Sequence, residues 1–311
     1  MFHAGELFFQ KKAGLVKSVA GIAAAMVHNQ LTAQQWQFYS QLSMLFVASL
    51  DHEGHPWASV ITGSPGFIHS LTANQLRLNA KFITGDPINS NLKIGGQLGF
   101  LGVEFNTRRR NRMSGIITAS NTKNVIVDIK KGFGNCPKYI QTRNIKMFAV
   151  KQRSTQLASK MISRVEFLTT EMKQLISSAN TFFIASSYSD NGHDLHFGAD
   201  VSHRGGRPGF VRVESNNNLS FDDYSGNNFF MTLGNLHSNP VAGLLFIDFK
   251  TGDTLQLACS TKIVESTKKL RQVKLTLKYA WFIQSALSID SEFLEYSPFL
   301  NTRCRLKTLP A

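Results

Sequence analysis

Short apolar runs of strand length, each closed by a small polar residue or a turn signal, dominate the chain, and several recur in the same order. Leu45-Phe46-Val47-Ala48-Ser49 returns as Phe182-Phe183-Ile184-Ala185-Ser186, and Gly63-Ser64-Pro65-Gly66-Phe67-Ile68 as Gly206-Arg207-Pro208-Gly209-Phe210-Val211. A third block aligns without a gap: Gly99, Leu101, Val103, Phe105 and Thr107 match Gly243, Leu245, Ile247, Phe249 and Thr251. Order kept over three blocks predicts an internal duplication, since shared composition does not preserve order. Asp51-His52-Glu53-Gly54 and Lys250-Thr251-Gly252-Asp253 carry hairpin signals, so each copy reads as an antiparallel barrel. A single continuous β-sandwich is the alternative, because sandwiches also show evenly spaced short strands.

Helical periodicity is confined to the edges. Leu15, Val19, Ile22 and Met26 recur at helical spacing within the Ala13–Val27 run, predicting a packed amphipathic helix. Lys11 and Lys12 make that run resemble a secretion signal, but Lys17 interrupts it and its apolar residues keep one face, which argues against cleavage. Thr32 with Gln35 predicts a capping box before a second helix, and Thr170-Glu171 the opening of a third. A further helix is expected from about Ser266 to Leu287, where Leu270, Val273, Leu277, Trp281 and Ile283 stand at roughly helical spacing. The expected organisation is a helical extension (1–34), a first barrel (35–150), a polar connector (151–163), a second barrel (170–265) and a C-terminal helix with tail (266–311). The fold class is mainly β with flanking helices, an α+β arrangement.

Composition adds a charge problem. The formal charge is +14 from 34 basic and 20 acidic residues, although charged residues make up only 17% of the chain. Such a field attracts nucleic acid, an anionic membrane surface or a phosphorylated small molecule. Three cysteines without C-x-x-C spacing, Cys136, Cys259 and Cys304, suit a reducing compartment, and the expected location is the cytoplasm. No run reaches the ~20 apolar residues of a membrane span. His52 and His55, or His193, Asp194, His196 and His203, offer no closed ligand set, so no metal is expected.

An anion cradle needs cations, hydroxyls and free backbone N–H groups. Arg207 and Arg212 flank Pro208-Gly209-Phe210-Val211, and Thr232 lies in Phe230-Met231-Thr232-Leu233-Gly234-Asn235. By pattern alone the two arginines fit either a cradle or an ordinary solvated strand. The run Arg108-Arg109-Arg110-Asn111-Arg112 fits a solvated turn, a ligand anchor or a nucleic-acid contact, and the lack of interleaved Phe or Tyr argues against nucleic acid.

The succession of Arg207 to Arg212, Phe230-Met231-Thr232, Asn239-Pro240 to Phe246 and Thr254-Leu255-Gln256 resembles the pyridoxamine 5′-phosphate oxidase superfamily. Phe2-His3 with Gly5-Glu6, Thr107 to Arg112, Phe133-Gly134-Asn135-Cys136-Pro137-Lys138-Tyr139-Ile140 and Ser202-His203-Arg204-Gly205-Gly206 resemble its long tandem branch of FMN-binding proteins. The resemblance implies two tandem split barrels forming a pseudo-dimer. It implies that Arg207 and Arg212 meet the FMN phosphate, that Phe210, Val211, Met231 and Thr232 line the phosphate and ribityl region, and that Thr254 and Gln256 face the ring. Asn235 and Lys138 join this set, and Arg110 and Arg112, aligned with Thr254 and Gln256, would reach the flavin or its substrate from the first copy. Ser64 and His69 replace Arg207 and Arg212 in the first copy, so one principal site per chain is expected. The implied activity is an FMN-dependent oxidoreductase with a small-molecule substrate and electron donor, as a monomeric pseudo-dimer or a homodimer. FAD, a deazaflavin or haem are the other ligands considered, with a non-catalytic binder and a basic nucleic-acid-interacting protein as other functions.

Overall fold

The computed structural model describes residues 2–121, 123–148, 162–189, 198–265 and 271–300. Three helices come first: α1 (Ala4–Lys12), α2 (Val16–Met26) and α3 (Ala33–Ser40). The first copy follows as β1 (Met44–Leu50), β2 (Pro56–Thr62), β3 (Ile68–Thr72), β4 (Gln75–Leu78), α4 (Ile88–Asn91), β5 (Gln97–Glu104), β6 (Arg109–Ser120) and β7 (Val125–Asn135). The link carries β8 (Thr142–Met147), β9 (Ile162–Val165) and α5 (Thr170–Ser178). The second copy is β10 (Thr181–Tyr188), β11 (Gly198–Gly205), β12 (Val211–Val213), β13 (Asn218–Asp222), α6 (Met231–Ser238), β14 (Val241–Ile247), β15 (Thr254–Glu265) and β16 (Arg271–Ile283), after which β17 (Ile289–Glu295) pairs with β8.

The duplication is written in the sheets. One runs β2-β1-β5-β6-β7-β4-β3 and the other β11-β10-β14-β15-β16-β13-β12, the same order with β9 added beside β16. Register extends the match to single residues. Leu101 faces Arg112 across β5 and β6, as Leu245 faces Gln256 across β14 and β15. Val47 faces Ser59 as Ile184 faces Ser202. Arg112 and Gln256 are therefore counterparts, as are Ser59 and Ser202, and Val60 and Ile61 answer His203 and Arg204.

Each sheet curls around its own apolar core, one holding Leu45, Phe100 and Val127, the other Phe182, Leu244 and Leu275. Strand alternation turns the opposite faces outward, and these meet each other in a third core of Phe46, Leu101, Phe105, Phe183, Leu245 and Phe249. Buried from water, each such ring contributes about 1.5–3 kcal/mol, so neither copy is complete without the other. Contact is close enough to require glycine. A Cβ on Gly99 would strike the backbone of Ala199 and Asp200, and one on Gly243 the backbone of Pro56 and Trp57.

Two expectations need correction. The helix expected from Ser266 to Leu287 is strand β16 over its described part: Val273, Leu275 and Leu277 are buried while Lys274, Thr276 and Lys278 are exposed, a period of two. In α2 the buried residues are Val19 and Ala23, and Ile22 and Met26 face outward. The third helix opens at Thr170 as expected, capped by Thr169, whose hydroxyl accepts the Met172 N–H. The Thr32–Gln35 capping box forms as expected. Residues 151–161 of the expected connector, together with His193, Asp194, His196 and Cys304, lie outside the described residues. Among the described residues no helix is long and apolar enough to cross a membrane, and no three metal-ligating side chains gather.

Candidate functional site

The two copies meet along a groove where β6 passes β11 and the start of α6. Arg110 and Arg112 lie two apart on β6 and share a face. Arg112 is 5% exposed, with its guanidinium 3.2 Å from Asp200 and 3.1 Å from the Met231 sulfur, and it donates to the Ser202 hydroxyl. The Thr232 hydroxyl donates to the same Ser202 oxygen at 2.9 Å. Arg204 follows Ser202 along β11, and Arg271, at the start of β16, pairs with Asp223 at 3.1 Å.

These groups line a chamber of about 80 Å³ with four arginines (110, 112, 204 and 271) and one carboxylate, Asp223. Among the described residues the Nε atoms of Arg110, Arg112 and Arg204 are buried without a hydrogen-bond partner. Burial, with Arg112 and then Arg204 nearby, pushes the Arg110 pKa down to about 9, against a smaller opposing pull from Cys136. Burial first, then Arg112, lowers that of Arg204, opposed by Asp223 and Asp200. A helix end completes the chamber. Phe230, in the left-handed region at φ 58°, precedes α6 without a side-chain cap, and Met231, Thr232 and Leu233 border the cavity. The first N–H groups of a helix have no intrahelical acceptor and carry positive partial charge. Orphaned donors and uncompensated cations are costly when buried, and an anion in the chamber satisfies both.

Three spaces adjoin it, one of them a pocket of about 30 Å³ that shares Arg112 and Met231 and is bordered by His3, Glu6 and Asn235. A cleft of about 600 Å³ shares Arg110, Asn135 and Asn227 with the chamber and is walled by Ile22, Met26 and Phe229. A pocket of about 50 Å³ shares Arg110 and Arg204 and includes Lys138, His203 and Phe210.

The structure thus brings Arg110, Arg112, Met231 and Thr232 together, with Lys138 and Phe210 one wall away. Asn235 lies beyond Arg112, donating to Ser186 at 3.0 Å and meeting His3 Nε2 at 3.0 Å. The expected pairing of Arg207 with Arg212 at one anion does not form. Arg207 is exposed over the Tyr296 ring, 4.6 Å to its centroid, and Arg212 binds Asp222 at 2.8 Å and Ser220 at 3.2 Å. Neither lines the arginine chamber. Val211 is 1% exposed in the second barrel's core. Thr254 and Gln256 are also buried, at 1% and 0%, so neither faces open space. Arg204, Ser202 and Arg271 were missed. One signal for Arg204 was in hand: with His203 it forms a polar pair at β11 positions filled by buried Val60 and Ile61 in the other copy.

The duplicate position is closed. Gln256, the counterpart of Arg112, donates to Ala58 O at 2.9 Å and Ser59 Oγ at 3.1 Å, and Ser59 donates to Asp86 at 2.6 Å. Asp86 is 3% exposed and burial pushes its pKa up to about 6, against hydrogen bonds from Ser59, Ile88 and Gln256. A buried carboxylate there repels an anion where the other half attracts one.

No family model and no curated protein matches the chain. Similar solved structures include a Lactobacillus delbrueckii protein assigned as a pyridoxamine 5′-phosphate oxidase, at 12% identity and TM-score 0.30, covering 37% of this chain and 94% of its own. A FAD-binding protein of Mesorhizobium loti is similar at 7% identity and TM-score 0.28 (40% and 98%), and the haem storage protein HutZ of Vibrio cholerae at 12% and 0.24 (34% and 97%). Each spans a share of this chain comparable to one copy. With its strand order repeated unchanged, the chain is a tandem pair of open antiparallel sheets, each curled around its own core.

Proposed function

We propose that the chain binds one flavin nucleotide per molecule, with its phosphate in the arginine chamber and its ring in the adjoining cleft, and that it serves as an oxidoreductase on a small substrate. The observation carrying this reading is the set of four arginines facing one carboxylate, with three buried Nε atoms lacking acceptors. A phosphate supplies those acceptors, and the start of α6, which has no side-chain cap, favours the same charge. At about 600 Å³, the cleft is in the range of cofactor sites, which span roughly 300–1,000 Å³, and Ile22, Met26 and Phe229 give it apolar walls. A bound flavin would supply the electron transfer, leaving the protein to position it and to set its electrostatics. Arg110, at the junction of chamber and cleft, would fix the phosphate relative to the ring, while Arg112 is held in place by Asp200 and Ser202.

Titration of the purified protein with FMN, followed by flavin fluorescence and absorption, tests the reading. One equivalent per chain is expected, with affinity at least about tenfold weaker in Arg110→Thr and Arg204→Ile, each about 1.4 kcal/mol or more. Both variants install the residue of the duplicate copy, where the fold already accepts it. Saturation at two equivalents, or unchanged affinity in both variants, would refute it.

A further inference from the structure

The second copy spends polarity where the fold asks for none. Its β11 carries His203 and Arg204 at positions filled in the first copy by Val60 and Ile61, which are 0% and 1% exposed. His203 is itself 3% exposed, and neither ring nitrogen has a hydrogen-bond partner among the described residues. Burial, then Arg110 and Arg204, holds its pKa well below the usual range, so the imidazole is neutral and presents one N–H donor. An unsatisfied buried side chain of this kind is destabilising, and a valine would remove the cost.

His203 borders the pocket of about 50 Å³, with Lys138, Tyr139 and Tyr224. Arg110 and Arg204 stand in its wall and in that of the 80 Å³ chamber, so the two spaces adjoin through shared guanidiniums. Among the described residues no carboxylate lines the smaller pocket. Each space exceeds the ~30 Å³ share of one water but is far too small for a ring system, which suits one small polar group apiece. Both groups would be anionic, and Arg110 and Arg204 would bridge them.

We propose that the two chambers hold two linked phosphoryl groups, so that the preferred ligand is a flavin dinucleotide with a diphosphate bridge rather than a mononucleotide. This rests on the flavin reading above. A monoester fills the arginine chamber and leaves His203 and Lys138 without an acceptor. A diphosphate carries similar total charge but spreads it across both spaces, giving Lys138 an anion and the His203 N–H an oxygen.

Parallel titrations of the protein with FAD and FMN at one ionic strength test it. FAD is expected to bind at least tenfold more tightly than FMN. His203→Val and Lys138→Ala should each abolish most of that preference while changing FMN affinity less than twofold, and valine is the residue the duplicate strand already accommodates. FMN binding as tightly as FAD, or variants weakening both ligands alike, would overturn the proposal and leave the flavin reading intact. If neither flavin binds, that reading fails, and thermal protection by pyrophosphate against orthophosphate decides the diphosphate claim: protection at tenfold lower pyrophosphate sustains it, and equal protection overturns it.

Discussion

Phe46 and Phe183 hold the same position in the two copies and stack on each other, with 3.5 Å between ring centroids and 14° between ring planes. Their flanking counterparts Phe105 and Phe249 meet edge-on at 5.7 Å. Residues related by the duplication touch their own equivalents, which is the signature of an isologous contact folded into one chain. The ligand-facing residues break that symmetry, and the apolar seam keeps it.

Truncating either ring should unfold both copies together. Phe46→Ala and Phe183→Ala are each expected to cost about 3–5 kcal/mol, with a coupling of about 0.5–1.5 kcal/mol between them. Urea denaturation of the two single variants and the double variant measures this. One shared transition is expected in each, and two separate transitions would show that the copies fold apart.

How far the sequence could be read follows from the range of each signal. The duplication was legible because Gly99 to Thr107 and Gly243 to Thr251 align without gaps, and strand register then fixed Arg110 and Arg112 opposite Thr254 and Gln256. The fate of Arg212 was not legible. Its partner Asp222 lies diagonally across the β12–β13 hairpin, two positions from Ser220, which stands directly opposite Arg212, and the ion pair removes the cation that an anion would need. Strand β16 was misread because Val273 and Leu277 fit a period of 3.6, whereas Leu275 and the exposed Lys274 and Thr276 between them fit only a period of two. Arg204 stood in the quoted run from Ser202 to Gly206, but an arginine in a strand carries no pattern that assigns it to a site. Only comparison with Ile61, after alignment, marks it.

The seam predicts its own sensitivity to volume. Gly99→Ala and Gly243→Ala each place a methyl against facing backbone, Ala199–Asp200 in one case and Pro56–Trp57 in the other, where no side chain can rotate away. Each should cost about 1–3 kcal/mol, and by symmetry the two costs should agree within about 1 kcal/mol. Thermal unfolding of both variants checks the pair. A neutral Gly99→Ala would show that β5 and β11 are less closely packed than described.

A binding chamber whose arginine Nε atoms lack acceptors should weaken the protein that carries it. Arg110→Thr removes a buried guanidinium whose Nε has no acceptor and is expected to stabilise the ligand-free protein by about 1–3 kcal/mol. The same change removes protection by added phosphate. Differential scanning with and without 10 mM-scale phosphate, a concentration on the order of weak anion sites, gives both readings. Loss of stability in the ligand-free variant would mean that Arg110 supports the fold.

The N-terminal strap sets a pH dependence with a definite sign. Glu6 is 2% exposed; burial pushes its pKa up to about 7, with Asp200 adding to the rise and Lys131 and the His3 N–H opposing it. Unfolded, it titrates near 4.5. Between those values the folded chain keeps a proton that the unfolded chain has lost, so the Glu6 contribution to stability falls as pH rises from 4.5 to 7 and is level above. His3 acts the other way. Burial lowers its pKa to about 4 from 6.5, so its contribution rises with pH over that interval and masks most of the Glu6 slope below 6.5. Glu6→Gln retains the side-chain oxygen that accepts the His3 N–H at 2.9 Å but cannot ionise. Subtracting its urea-derived stability from that of wild type, across pH 4.5 to 8.5, should give a difference that moves against the wild type up to pH 7 and then stops changing. Parallel profiles would place the Glu6 carboxyl in water.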